Sequence, residues 1–153
     1  VLYAEKVLMN SKTDDKIKSD AQIIIARSAI ETGDEAKAKV AYAKVLTIAK
    51  GELAAEALYY DAYFKNKEGN YDASNDVVQK LAKNYSSYKY FGAKGLVLMA
   101  KNFYGLKDSF QATYILENVI KNFTDYPEVV ADAKTTLDKI KTEEAKTNSS
   151  ITK

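Results

Sequence analysis

Along this chain apolar residues return at the spacing i, i+3, i+4, i+7, which lays them in one stripe along a helix. Three sets share it: Ala38, Ala41, Tyr42 and Val45; Ser74, Val77, Val78 and Leu81; Ala112, Ile115, Leu116 and Val119. Each set opens on a small residue, which lets two helices approach closely. Ahead of each lies a second apolar run around Ala26, Ala62 or Ala100: Ile23-Ile24-Ile25, Leu58-Tyr59-Tyr60 and Leu96-Val97-Leu98.

A glycine closes each of these earlier runs. Gly33, Gly69 and Gly105 stand 36 residues apart, and a left-handed glycine ends a helix at little cost. The alanines step by 36 and then 38 (26, 62, 100), which places a two-residue insertion at Leu106-Lys107.

The pattern predicts three helix pairs: 19–32 with 35–50, 53–68 with 71–84, and 87–104 with 108–123. Residues 1–10 read as the end of a preceding repeat helix, so the chain is expected to be a piece of a longer protein. Residues 11–18 read as a polar link and helix entry. Asp34, Ser86 and Ser87 are candidate N-caps. Pro127 suits the first turn of a last helix over 127–145, which buries Val130, Ala133, Leu137 and Ile140 and caps the stack with a charged outer side. Residues 146–153 are expected to be a disordered tail.

Composition narrows the chemistry. With 23 basic and 21 acidic residues the net charge is +2, and Arg27 is the sole arginine. Neither a basic stripe for nucleic acid nor a set of planar guanidinium readers is present. The chain has no Cys and no His, which removes disulfides, thiolate nucleophiles, imidazole bases and the usual zinc ligands. No stretch reaches the roughly 20 apolar residues of a membrane span. The carboxylate pairs Asp14-Asp15, Asp34-Glu35 and Glu143-Glu144 are sequence neighbours near helix ends, a poor arrangement for two groups converging on a cleft. No phosphate-cradling loop occurs, since Gly33, Gly51 and Gly69 are single helix stops. The expectation is a non-enzyme with no cofactor and no metal.

Two helices per period of 34 to 38 residues, with small residues at matching places, resemble tetratricopeptide repeats over residues 19–145. Ala57-Leu58-Tyr59-Tyr60-Asp61-Ala62-Tyr63 followed by Gly69-Asn70-Tyr71-Asp72-Ala73-Ser74 carries the resemblance best. Gln22, Leu58 and Leu96 stand where the family places an early aromatic, and Lys50, Ser86 and Thr124 where it often has Pro. The texture is similar to long repeat proteins of Bacteroidetes-type bacteria, some of them periplasmic or associated with the outer membrane. The resemblance implies an all-α, right-handed solenoid of antiparallel helix pairs whose first helices line a concave face. On that face it places Ile23, Arg27, Tyr59, Tyr63, Lys67, Val97, Lys101 and Tyr104, mostly four apart within a helix.

Tyr59 and Tyr63 stand out, because tyrosine joins a wide apolar face to a hydroxyl and loses little entropy on binding. With Arg27, Lys67 and Lys101 beside them, the face suits a protein or peptide segment of acidic character. The alternative is that these rings pack between repeats and the segment is a structural spacer. That reading predicts pairing with a second copy through the open N-terminal edge near Val1 to Leu8. The cluster Tyr85, Tyr88, Tyr90 and Phe91 either forms a patch or folds back over a helix start. Gly92 and Gly95 each cost a helix about 1 kcal/mol relative to Ala, for which close helix packing is the expected return.

Overall fold

A computed structural model describes residues 1–10 and 14–152. The described chain is helical throughout, with eight helices: α1 (Leu2–Met9), α2 (Asp15–Glu31), α3 (Glu35–Ile48), α4 (Gly51–Lys67), α5 (Tyr71–Asn84), α6 (Lys89–Gly105), α7 (Ser109–Asn122) and α8 (Pro127–Ile151). Lengths repeat: α2, α4 and α6 have 17 residues each, and α3, α5 and α7 have 14 each. Each helix packs on the next one along the chain, and α4, α6 and α8 also touch in sequence.

The side chains explain the closeness. Ala26, Ala38, Ala55, Ala57, Ala62, Ala93, Ala100, Ala112 and Ala133 are all sealed from solvent, and larger residues such as Tyr42, Val45, Leu81, Leu116 and Val119 fill the space between them. Burying a Val or Leu side chain contributes about 1.5–3 kcal/mol, so these stripes fix which helix faces meet. At the centre is a closed polar knot. Asn102 Nδ2 donates to Ser74 Oγ at 2.8 Å and to Asn75 Oδ1 at 2.9 Å, while Asn66 donates to Asn102 Oδ1 at 2.8 Å. Ser74 Oγ donates to the Ala62 carbonyl at 2.7 Å. The knot ties α4, α5 and α6 together with every buried group satisfied.

The ends of the helices correct the sequence reading in several places. Gly33 and Gly69 take the left-handed conformation at φ 77° and 78°, as their positions require. Gly105 does not close its run this way: it is the last residue of α6, and the left-handed turn falls on Lys107 at φ 67°. Gly105 is small for another reason, since a Cβ there would stand 2.5 Å from the ring of Tyr71. With Lys107 as the counterpart of Gly33 and Gly69, the steps are 36 and 38 (33, 69, 107), matching the alanines. The two extra residues therefore lie earlier, in the turn 85–88, which has four residues where the turn 49–50 has two.

Other boundaries move for similar local reasons. Asp14 caps α2, its carboxylate accepting from the Ile17 amide at 2.9 Å, so the helix begins four residues before the predicted start at 19. The remainder of the predicted link, 11–13, lies outside the described residues. Asp34 caps α3 as predicted, accepting from Lys37 at 3.0 Å. Tyr88, rather than Ser86 or Ser87, precedes α6, without a side-chain cap. Gly51 does not stop a helix but starts α4. Pro127 opens α8, whose buried stripe is Val129, Ala133, Leu137 and Ile140, with Val129 in the place predicted for Val130. The helix runs on to Ile151 through the predicted tail, because no Gly or Pro interrupts it and Thr147, Ser149 and Ser150 bond back to carbonyls of the preceding turn.

Candidate partner-binding face

A continuous run of aromatic rings lies on α4 and α6, entered from Tyr42 of α3 and ending on Tyr126 just before α8. Tyr42 of α3 is fully buried and stacks on Tyr60 of α4, centroids 4.2 Å apart and planes inclined by 13°. Tyr60 meets Tyr59 and Tyr63 edge-on at 5.1 and 5.8 Å. Tyr59 reaches Phe91 at 6.5 Å, and Tyr90 links Phe91 to Tyr126. Rings in such tilted and edge-on pairs add attraction beyond the area they bury.

Lys94 of α6 reaches into this run. Its Nζ lies 4.4 Å from the Tyr59 ring centre, 5.4 Å from Tyr90 and 5.6 Å from Tyr60. Tyr59, Tyr90, Lys94, Glu128, Val129 and Asp132 line a cavity of about 150 Å³. Among the described residues Lys94 has no carboxylate within ion-pair distance. Burial lowers its pKa below the usual lysine value, while Glu128, Glu56 and Asp132 pull the other way from a distance. The π-faces also favour the ammonium.

Burial pushes the phenols of Tyr59, Tyr60 and Tyr63 up, and that of Tyr42 as well. Tyr104 is held up at about 12 by its hydrogen bond to Glu143, 2.5 Å long.

The eight predicted contact residues fall into three groups. Ile23 and Val97 hold the same place in α2 and α6 but are only 3% and 2% exposed, inside the core, so they give a partner no surface. Arg27, Lys101 and Tyr104 reach the surface already engaged. Arg27 forms a two-pronged pair with the buried Glu56, Nη2 to Oε2 at 2.7 Å and Nε to Oε1 at 3.0 Å. Lys101 pairs with Asp132 at 3.2 Å, joining α6 to α8 as Tyr104 and Glu143 do. Tyr59, Tyr63 and Lys67 come together: Tyr63 donates to Glu35 at 3.1 Å, and Lys67 lies 5.4 Å from its ring centre. All three tyrosines of α4 are half-buried.

Sequence reasoning missed Lys94, Glu56 and Tyr60 as parts of this face. The signal was in the period. Asp20, Glu56, Lys94 and Asp132 stand at the same place in α2, α4, α6 and α8, stepping by 36, 38 and 38, and of these Lys94 and Asp132 line the cavity at the rings. Of the aromatic cluster at the α5–α6 turn, Phe91 is buried and Tyr88 folds back with its hydroxyl against Gly51, while Tyr90 belongs to the face. Gly95 is the close contact expected of it, with Val78 and Leu81 3.3 Å from where a Cβ would stand. Gly92 is not: nothing lies within 4 Å of that point.

No protein-family model matches the chain, and no curated protein matches it. Among the described residues no helix is long and apolar enough to cross a membrane.

Proposed function

We propose that this chain is a non-catalytic scaffold segment that holds a protein or peptide against the aromatic face of α4 and α6. In this reading it is a right-handed solenoid of antiparallel helix pairs of tetratricopeptide type, with α8 as its cap. The repeated 17- and 14-residue helices joined by short turns support the architecture. The observation that carries the function is Lys94, a half-buried ammonium ringed by three tyrosines and, among the described residues, paired with no carboxylate. A group so placed is matched by a ligand's acceptor, and the surrounding rings supply the contact area that binding energy concentrates on.

A photo-cross-linking residue at position 63 tests this, with one at the exposed position 134 as the control. Position 63 should capture one discrete partner in extracts of the source cell, and the added double variant Tyr59→Ala/Lys94→Met should abolish capture. Equal capture from both positions, or none, would overturn the reading.

A second reading, a spacer that associates with its own kind, is favoured by the α1 surface, where Leu2, Tyr3 and Met9 are 70%, 80% and 86% exposed. Sedimentation as a dimer that becomes a monomer in Tyr3→Glu/Met9→Glu would support it.

A further inference from the structure

A different surface, at the turn edge, is open. The α5–α6 and α7–α8 turns share one pattern, Tyr85 and Tyr88 in the first and Phe123 and Tyr126 in the second, 38 residues on. In the first, Tyr88 covers the start of α4: its hydroxyl lies 3.1 Å from the point where Gly51 would carry a Cβ. In the second, the counterpart of Gly51 is Lys89, and Tyr126 leans instead on Tyr90, centroids 5.7 Å apart. The edge is left with a groove of about 380 Å³ between the two turns, walled by Tyr85, Phe123 and Tyr126. Gly92 lies in it one turn beyond Lys89, with nothing within 4 Å of its missing Cβ. A glycine inside a helix weakens it even in the first turn, and here no neighbour requires it. Lys89 and Asp125 line the same groove with opposite charges, neither of them in an ion pair among the described residues.

We propose that this groove docks a tyrosine side chain from a partner segment that carries an acidic residue on the Lys89 side and a basic one on the Asp125 side. The molecule indicates the occupant itself: where the preceding repeat is covered at the matching edge, a tyrosine covers it. The unpaired charges supply the complement for the flanking residues. The groove shares no lining residue with the Lys94 cavity, which it meets only through the Tyr126–Tyr90 contact, and it stands whether or not that cavity binds anything.

Amide-shift mapping of the whole chain tests the proposal, with N-acetyl-tyrosinamide, acetyl-Glu-Tyr-Lys-amide and N-acetyl-alaninamide as probes. Both tyrosine probes should move the amides of Gly92, Ser86 and Asn122 saturably, and the alanine probe should not. The tripeptide should bind at least threefold more tightly than the tyrosine amide, and high salt should remove that advantage. Gly92→Leu should abolish the shifts while melting no lower than wild type. Gly92→Ala, adding one methyl into open space, should weaken them severalfold and covers the case in which the leucine variant fails to fold. Shifts that are absent, that persist in both variants, or that centre on Lys94 would overturn the proposal, and so would a tripeptide no tighter than the amide.

Discussion

Arg27 and Glu56 set the tone at the scale of single residues. Glu56 is 6% exposed, and its carboxylate is held by Arg27 and by the Tyr42 hydroxyl at 3.3 Å. Arg27→Ala strands that charge, but the guanidinium is half in water, so the expected loss is about 1–2 kcal/mol in urea unfolding. Lys107 offers the opposite sign. It takes the left-handed conformation that its counterparts Gly33 and Gly69 adopt freely. Lys107→Gly should stabilise the chain by roughly 0.5–1 kcal/mol, and Gly33→Ala should cost about 1 kcal/mol, both readable as shifts in urea midpoint. The tyrosines add a pH limit. Their phenols titrate higher in the folded chain than the unfolded value of about 10, so folding is unaffected below that pH. Above it the folded state binds more protons than the unfolded state, and stability falls as pH rises. Lys94 acts in the reverse sense but is one group against several. Melting should drop steadily from pH 10 to 12 and less steeply in Tyr59→Phe; a flat profile would contradict the assignment.

Helices were legible because their signal is periodic and strong. Their inner stripes are spaced by burial itself, which is why α3, α5 and α7 appear in the sequence within two residues of their observed ends. Ends and pairings were less legible because they depend on contacts distant in sequence. Gly105 looked like a turn glycine and is small because Tyr71 lies against it; Asp14 was read as part of a polar link and is a cap. For the face, the resemblance implied Tyr59 and Tyr63, whereas the place of Lys94 depends on how α6 sits against α4. Gly105→Ala should displace the Tyr71 ring and cost about 1–2 kcal/mol, an amount that overpacking explains. In Tyr71→Ala the same change should cost much less, and a double-mutant cycle measures the difference. At the far end, residues 141–151 of α8 are exposed on every side. Removing 146–153 should leave the urea midpoint within about 0.5 kcal/mol of wild type, since no core contact is lost.

For the whole molecule, the knot around Asn102 matters most. Asn102→Ala removes donors from Ser74 and Asn75 at a site sealed from water, and each stranded buried group costs about 1–3 kcal/mol. The loss should appear as faster amide exchange in α4, α5 and α6 together, before α1 or α8 changes.

That ordering follows from a plain fact of the fold: among the described residues every helix leans chiefly on its near neighbours in the chain. Pulled by its two ends, such a molecule has no single clasp to break. It should lengthen as a spring does, giving way one helix pair at a time. Each pair of about 36 residues would release on the order of 120–130 Å of chain, at about 3.3–3.6 Å per extended residue. A partner bound across several helices would act as a brace, and the force at which the first step appears would report its presence.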